Sequence, residues 1–179
     1  CTNYNGRMPM NPDALKSYQE KRNFAVTSEP NPPKIADKRA NSKKMIFVVQ
    51  EHHSRQLHYD FRLEVDGVLK SWAVPKGLSM NPKDKRLAVQ TEDHPIEYAS
   101  FEGTIPEGEY GAGTVVIWDR GIYNNRSNKD GQEISLSQAL KSGHASFWLE
   151  GKRLQGGFAL TRTPRGWLLV KMRDEKAES

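Results

Sequence analysis

The chain has 179 residues, of which 36% are hydrophobic and 27% are charged, and this composition predicts one soluble domain with a substantial core. Its single cysteine, Cys1, excludes a disulfide within the chain, and we therefore expect a cytoplasmic protein. The longest apolar run, residues 45–49, is too short to cross a membrane, and we expect neither a membrane anchor nor a signal peptide.

The basic excess lies in an N-terminal arm, residues 1–44. This arm holds nine Lys/Arg and four Asp/Glu, a net charge of +5, whereas residues 45–179 hold eighteen of each. We expect the arm to be partly flexible, with a short helix over residues 13–20 and an extended proline-rich connector over residues 28–34. Its charge suits a phosphate backbone, although a solubilising tail explains the charge equally well.

From residue 45 onward the pattern is that of short β-strands separated by turns. The strand candidates are "MIFVVQ", "LHYDFRLEV", "VLKSWAVP", "RLAVQTE", "GTVVIWD", "ASFWLEG", "GGFALTR" and "WLLVKMR". One helix is predicted over residues 136–141, with Ser135 as its N-cap and Gly143 at its end. Many strands without alternating helices predict an all-β fold, either an antiparallel barrel or a sandwich.

The strand predicted over residues 57–65 carries chemistry on one face only. Its apolar residues alternate with His58, Asp60, Arg62 and Glu64. The following Asp-Gly pair is a favoured hairpin turn, and in that register the opposing residues on the polar face are small, namely Ser71 and Ala73. Small residues beside charged ones leave open volume, so this face is predicted to be the floor of a ligand site.

A metal and a phosphate are the ligands that this face suits. His58 and Asp60 share the face, and His52 can join them from the preceding segment, which gives two imidazoles and one carboxylate for Mn, Fe, Zn, Ni or Co. A His-x-Asp pair alone is usually a solvated strand surface. Arg62 changes that balance, because a cation beside a metal is favourable when both face an anion such as phosphate.

Further candidates follow in the chain. One strand face is predicted to hold Arg86, Ala88, Gln90, Glu92 and His94. His94 ends that strand, where a general acid or hydrogen-bond donor can be displayed, and Tyr98 and Lys76 are expected nearby. Each of them also has a simpler explanation as a surface charge or a core residue. The Gly-rich residues 101–113 precede a strand rather than a helix and are predicted to be structural, and His53 and His144 are predicted to be packing or surface residues.

These residues stand in motifs that resemble those of a known family. The motifs are "KRNF..T.EP", "FVVQEHHSRQLHYDFRLEVDGVLKSWAVPKG", "DKRLAVQTEDHP..YASFEG.IP.G.YGAG", "WDRG" and "GGFALTR…WLLVK", and they cover the chain from about residue 18. The chain resembles the 3′-phosphoesterase domain of bacterial DNA ligase D and its stand-alone relatives. The resemblance implies a compact antiparallel β-barrel, residues 45–179, with short peripheral helices and with the extended basic arm folded over the site.

The resemblance also implies roles for individual residues. By motif, a metal, typically Mn²⁺ with Co²⁺ or Zn²⁺ as alternatives, is held by His52, His58 and Asp60. The residues implied at the scissile phosphate or over it are Arg62, His94, Tyr98, Lys76, Arg86, Arg22 and Glu29, of which the catalytic ones are Arg62, His94 and Tyr98. Asn23 stands where the family pattern leads us to expect an aspartate.

The implied activity is the healing of DNA 3′ ends before ligation, by removal of 3′-phosphates and of 3′-terminal ribonucleosides during non-homologous end joining. The implied partners are DNA or RNA/DNA 3′ ends at primer–template junctions, together with a DNA ligase and a polymerase/primase as separate chains or fused domains. We expect a monomer associated with the nucleoid.

Two other classes of function remain open on the residues alone. A non-haem Fe(II) oxoglutarate-type dioxygenase would use His58, Asp60 and the distant His144, with Arg153 for a carboxylate. A non-catalytic barrel that binds single-stranded nucleic acid would use the basic arm and exposed aromatic residues. The first predicts oxoglutarate-dependent oxygen uptake, and the second predicts that DNA affinity survives the loss of His58.

Overall fold

Eleven strands, two short α-helices and one 3-10 helix form the described part of the chain, residues 13–31 and 44–179 of a computed structural model. The helices are α1 (Lys16–Glu20), α2 (Leu136–Ser142) and the 3-10 helix Ile96–Ser100, and the described helices are too short to span a membrane. The strands are β1 (Met45–His53), β2 (Leu57–Val65), β3 (Val68–Val74), β4 (Arg86–His94), β5 (Gly103–Ile105), β6 (Gly113–Asn125), β7 (Asn128–Lys129), β8 (Gln132–Glu133), β9 (His144–Glu150), β10 (Gln155–Thr163) and β11 (Gly166–Lys171). Predictions for residues 1–12 and 32–43 of the arm lie outside the described residues.

Eight strands close into an antiparallel barrel. Their order is β1-β2-β3-β4-β11-β10-β9-β6, and β6 pairs with β1 to complete the circle. The short β5 adds to the free edge of β6, while β7 and β8 form a separate two-stranded hairpin. The prediction of an all-β antiparallel barrel is therefore confirmed, and closure removes the exposed sheet edges of an open sandwich.

The interior of the barrel is the main apolar core. Every barrel strand contributes to it, with large fully buried side chains such as Phe61, Trp72, Phe147 and Phe158. Helix α2 adds its own apolar face to this core. As predicted, Ser135 caps α2, here with a reciprocal capping box, and the helix ends at Gly143 in the left-handed conformation.

The β2–β3 hairpin follows the predicted register. Arg62 pairs with Ser71 and Asp60 pairs with Ala73, across a turn whose two central residues both have positive φ. The apolar face of β2 enters the barrel core, so that its polar face lies on the outer wall of the barrel. The fold thus uses one strand for packing on one side and for chemistry on the other.

A second apolar cluster covers part of that outer wall. Its members are Tyr18, Val48, Leu69, Ile96, Tyr98, Ala99, Phe101, Ile105 and Val115. Tyr18 comes from α1 and Tyr98 from the 3-10 helix, so both segments pack onto the wall from outside. The polar face of β2, which was predicted to be the open floor of a ligand site, is therefore covered over much of its length by this cluster, which we call the roof. Arg62 is only 3% exposed and Glu64 is fully buried.

Candidate metal and phosphate site

Two histidines and one aspartate meet on adjacent strands of the outer wall. His52 on β1 pairs directly with His58 on β2, and Asp60 lies two residues further along the same face of β2. Asp60 Oδ2 lies 3.3 Å from His52 Nδ1, and Asp60 Oδ1 lies 3.3 Å from His58 Nε2. One ligand atom from each of the three residues lies within 4.8 Å of the others, which is close enough to share one ion.

Main-chain carbonyls orient both imidazoles of this group. His52 Nε2 lies 2.7 Å from the carbonyl oxygen of Gly111, and His58 Nδ1 lies 3.0 Å from that of Gln56. Since a carbonyl only accepts, each of these nitrogens donates its hydrogen, and the other ring nitrogen faces Asp60: it donates to the carboxylate when it also carries a hydrogen, and it offers its lone pair to a metal ion when it does not. Metal-binding histidines typically have such a partner, so the arrangement fits a metal site.

The charges of the group also fit a cation. Burial opposes ionisation of Asp60, but the Arg62 guanidinium and hydrogen bonds from His52 and His58 outweigh it and hold the pKa of this carboxyl well below its usual range. The hydrogen bond to Asp60 raises the pKa of His58. Two oriented imidazoles and an ionised carboxylate are donors that suit Mn, Fe, Co or Zn, and His58, the most exposed of the three, opens the group to solvent.

Arg62 extends from this group towards the roof. Its Nε donates to Gln50 Oε1 at 2.8 Å, its Nη2 lies 3.3 Å from Asp60 Oδ2, and its Nη1 lies 3.2 Å from His94 Nδ1. The guanidinium also stacks over the Tyr98 ring at 4.8 Å. Each terminal nitrogen carries two hydrogens and has one such contact, so both keep a donor for an anion beside Asp60.

An irregularity in β4 decides where His94 points. Thr91 and His94 pair with residues of β3 that are only two apart, so β4 has one extra residue between them. Ala88 is fully buried in the barrel core, and Arg86 shares its side of the strand. The prediction that Arg86 and His94 lie on one face is therefore wrong: the extra residue turns His94 to the outer wall and leaves Arg86 on the inner side.

His94 is buried between two tyrosines at the far side of Arg62. Its ring centroid lies 4.7 Å from that of Tyr98 and 5.2 Å from that of Tyr18, and the residue is 4% exposed. Burial, and then the positive charges of Arg62 and Arg22, hold the pKa of His94 well below its usual range, so the imidazole is neutral. In the described residues, all hydrogen bonds of this ring involve Nδ1, which leaves Nε2 for another group.

The arm is fastened over the site by a buried ion-pair network. Arg22 binds two carboxylates at 3.0 Å each, through Nε to Glu29 and through Nη1 to Glu92 on β4. Glu29 also accepts a hydrogen bond of 2.9 Å from the Tyr98 hydroxyl. We call Arg22, Glu29 and Glu92 the clasp. It joins the arm to the 3-10 helix and to the strand that carries His94.

The other predicted residues lie further out. Lys76 is exposed in the turn after β3, and Arg86 lies near Asp84, 3.7 Å away, on the inner side of β4. Asn23 is exposed and its side chain accepts a hydrogen bond from the main-chain nitrogen of Ala25, so that this position belongs to a turn of the arm. The structure thus gathers the predicted metal ligands with Arg62, His94 and Tyr98, and places Arg22 and Glu29 above them.

Three contributors to the site were missed by sequence reasoning. Gln50 follows the same alternation on β1 as His52, and that period was the signal that could have found it. Glu92, which the sequence placed on a strand face without a role, and Tyr18 act through contacts between residues 70 and 76 positions apart in the chain, for which no local signal exists. His53, by contrast, lies exposed beside Glu51, as predicted.

The geometry gives no support to the dioxygenase alternative. His144 is exposed on β9, where its Nδ1 lies 3.0 Å from the Thr161 hydroxyl. Within the described ranges, His52, His58 and Asp60 form the one group of histidines and acids with metal-ligand spacing. His144 therefore does not complete a triad with His58 and Asp60.

Comparison with known proteins agrees with this site. The family model of the DNA ligase D 3′-phosphoesterase domain matches residues 50–162, which include all three residues of the metal group. The multifunctional non-homologous end joining protein LigD of Pseudomonas aeruginosa is 47% identical over 170 residues, which are 92% of this chain and 19% of that protein. LigD of Mycolicibacterium smegmatis and the LigD repair protein of Mycobacterium tuberculosis are each 46% identical over 165 residues, again 92% of this chain, and 21% and 20% of those proteins.

The chain thus spans about a fifth of the length of these LigD relatives. The matched part begins in β1, at the residue that supports Arg62, and continues to β10 of the barrel. This match covers well over half of the chain and includes the metal group together with Arg62, His94 and Tyr98. The chain belongs to the DNA ligase D 3′-phosphoesterase domain family.

Proposed function

We propose that this chain is a metal-dependent phosphoesterase that removes 3′-phosphates and 3′-terminal ribonucleosides from DNA ends before ligation. The observation that carries the proposal is that Arg62 lies next to the metal group on the outer wall of the barrel and keeps N–H groups available for a ligand. A single phosphate can therefore contact both a metal ion and Arg62. Family membership and LigD relatives named for non-homologous end joining support a role in DNA end processing. A DNA ligase would then act on the product, as a fused domain or a separate chain, and the nucleoid would be the place of action.

His52, His58 and Asp60 would hold Mn²⁺, or Co²⁺ or Zn²⁺, and such an ion supplies Lewis-acid stabilisation of negative charge that develops on phosphate oxygens. Arg62 contributes a second, fixed positive charge next to it. Its terminal nitrogens donate to non-bridging oxygens, while Gln50 holds Nε and so fixes the plane of the guanidinium. The charge of Arg62 acts in a buried position, which strengthens its effect.

His94 is the third contributor to this proposal. With Arg62 donating to Nδ1, the neutral ring carries its hydrogen on Nε2, which donates a hydrogen bond to a phosphate oxygen; transfer of a proton to the leaving oxygen would instead require the ring to be protonated first. Tyr18 and Tyr98 enclose the ring, so contact with a substrate requires the arm to move from its clasped position. Tyr98, Arg22 and Glu29 then act as supports: they set how the arm closes behind the phosphate. Lys76 is proposed to bind a neighbouring phosphate of the strand.

A primer–template assay tests the proposal. The purified chain is incubated with a duplex whose primer ends in a 3′-phosphate or in a 3′-ribonucleotide, with Mn²⁺, Co²⁺, Zn²⁺ or Mg²⁺ in turn. We expect product with Mn²⁺, its loss in Asp60→Asn, and full activity in His53→Ala, since His53 is exposed and outside the metal group. If no metal yields product on either substrate, the proposal fails.

The same assay separates catalysis from simple binding. A barrel that only binds single strands would keep its DNA affinity in His58→Ala and would release no phosphate. We expect instead that His58→Ala abolishes turnover. DNA affinity measured with Mn²⁺ should fall as well, because the ion is part of the phosphate site.

A further inference from the structure

The outer face of β4 is covered at one end and bare at the other. At its C-terminal end, Glu92 and His94 lie under the arm. At its N-terminal end, Leu87 and Val89 share the outer face but are 41% and 45% exposed. Large apolar side chains on a bare strand face call for an explanation when they form a continuous patch.

Strand register makes this patch continuous with the metal group. Asp60 pairs with Ala73, and Ala73 pairs with Val89, so the three residues form one row across β2, β3 and β4 on the same face. Neighbouring strands lie about 4.8 Å apart, which puts Val89 about 10 Å from Asp60 along that row. Leu87 lies two residues before Val89 on the same face of β4, and Leu168 on β11 pairs with it, so these two leucines widen the apolar surface next to the row. We call Ala73, Leu87, Val89 and Leu168 the apolar shelf.

Two sides of the metal group are covered. The arm and the 3-10 helix stand over Arg62 and His94, and the loop that carries Gly111 stands against His52. Towards the apolar shelf the outer wall stays bare. Its rim is basic, because the connection from β3 to β4 carries the exposed lysines Lys76, Lys83 and Lys85. A flat apolar surface between a metal group and lysines matches a nucleotide. The faces of its base and sugar would pack on the apolar surface, and its anionic phosphates would lie near the metal group and the lysines.

We propose that the apolar shelf binds the nucleoside whose 3′ oxygen carries the scissile phosphate. This inference rests on the proposed function and adds the subsite that holds the substrate. That nucleoside is common to both proposed reactions, removal of a 3′-phosphate and removal of a following ribonucleoside, so one shelf serves both. The shelf residues carry no side-chain hydrogen-bond donor or acceptor, and therefore the contact does not distinguish the four bases.

The experiment compares Val89→Asp with Val116→Asp. Val116 is a strand valine of similar exposure, 43%, on β6, and it is outside the shelf. The substrates are two primer–templates with a 3′-phosphate, one with a normal terminal nucleotide and one with an abasic terminal nucleotide. We expect Val89→Asp to raise KM about tenfold on the normal end with kcat little changed, because stacking of the base on the shelf would desolvate the new carboxylate. On the abasic end the increase should be small, and Val116→Asp should match wild type on both ends.

Conservative and structural controls complete the test. Val89→Ile should keep the wild-type KM, and melting temperatures should show that all variants fold. The shelf proposal is wrong if wild type hydrolyses both substrates and Val89→Asp leaves both KM values unchanged, or raises them equally. It is also wrong if Val89→Asp converts a dimer to a monomer in gel filtration, since the shelf would then hold a second copy. Absence of any hydrolysis by wild type would instead refute the proposed function itself.

Discussion

The Nε of Arg62 donates to Oε1 of Gln50, a residue with no solvent exposure, at 2.8 Å. The amide nitrogen of Gln50 donates in turn to the carbonyl oxygens of Tyr98 and Phe101, at 2.7 and 3.0 Å. These partners fix the orientation of the amide, because the guanidinium only donates and the carbonyls only accept. One buried glutamine thus ties the candidate phosphate-binding arginine to the 3-10 helix that roofs it.

Replacement of Gln50 by alanine should lower both stability and turnover. It removes the Gln50 partner of the Phe101 carbonyl and of the Arg62 Nε–H, at a cost of about 1–3 kcal/mol each before relaxation, while the Tyr98 carbonyl keeps the main-chain N–H of Phe101. Misplacement of Arg62 should reduce kcat/KM about 10–100-fold, as supporting residues of metal sites typically do. Urea unfolding and steady-state kinetics measure the two effects. Gln50→Glu separates them, since it still accepts from Arg62 but cannot donate to the carbonyls. Gln90→Ala, an exposed glutamine on β4, should change neither quantity.

Mn²⁺ should stabilise the folded chain through the metal group. A ligand at a hundred times its Kd that binds only the folded state adds about 2.7 kcal/mol. We expect an upward shift in melting temperature with Mn²⁺, reversed by EDTA, and no shift in His52→Ala or His58→Ala. His53→Ala serves as the matched control because this histidine neighbours the group in sequence but lies at the surface. An equal shift in all four proteins would place the ion elsewhere.

Loss of Arg22 should release the arm from the barrel. Arg22→Met leaves the buried Glu29 without its cation and leaves Glu92 with Lys21 alone, and breaking a buried pair in this way costs about 3–5 kcal/mol. Limited trypsin digestion should therefore cut at Lys21 much faster than in wild type, while the melting temperature of the barrel changes little. Lys16→Met is the control, since Lys16 pairs with Glu20 at 4.0 Å in full solvent. Unchanged cleavage in Arg22→Met would show that the apolar contacts of Tyr18 alone hold the arm.

Neutral His94 should make the fold sensitive to acid. Its pKa is lowered in the folded state, first by burial and then by Arg62 and Arg22, whereas in the unfolded chain it is about 6.5. The unfolded state therefore binds a proton that the folded state does not, and this contribution to stability is present above pH 6.5 and lost as pH falls. The slope is about 1.4 kcal/mol per pH unit between the two pKa values.

The measurement is urea unfolding between pH 7.5 and 5 with EDTA present. Wild type should lose more stability on acidification than His94→Gln, and His53→Gln should behave as wild type. Parallel pH profiles for wild type and His94→Gln would contradict a buried neutral imidazole. In activity assays, full turnover by His94→Gln would argue that His94 donates a hydrogen bond and does not transfer a proton, because glutamine can do only the first.

The sequence predicted those features that depend on local alternation. The two faces of β2, the Asp66-Gly67 turn and the pairing of Arg62 with Ser71 all follow from a period of two and a favoured turn, and the structure has each of them. The sequence brought His52 to the metal group, but from the turn before β2; in the structure β1 extends to His53, so that His52 pairs with His58 across two strands.

Features that depend on tertiary packing were not predictable in this way. A single extra residue before His94 reverses which side chains of β4 face outward after it, and no residue type in "QTEDH" indicates its position. The roof is similar: Tyr18 reaches His94 across a sequence separation that hydrophobic periodicity does not bridge. A local pattern therefore located the metal ligands, while the enclosure of the phosphate side required the three-dimensional structure.

The two faces of β2 have a consequence for how such a domain can evolve. Phe61 and Leu63 belong to the barrel interior, while Asp60 and Arg62 between them belong to the site. On the far side of the barrel, β9 and β10 contribute only packing to that interior, through residues such as Phe147 and Leu160. Mutations of these residues can change the stability of the barrel without changing the residues that contact the substrate. Relatives that live at different temperatures can therefore differ in stability and keep the same site.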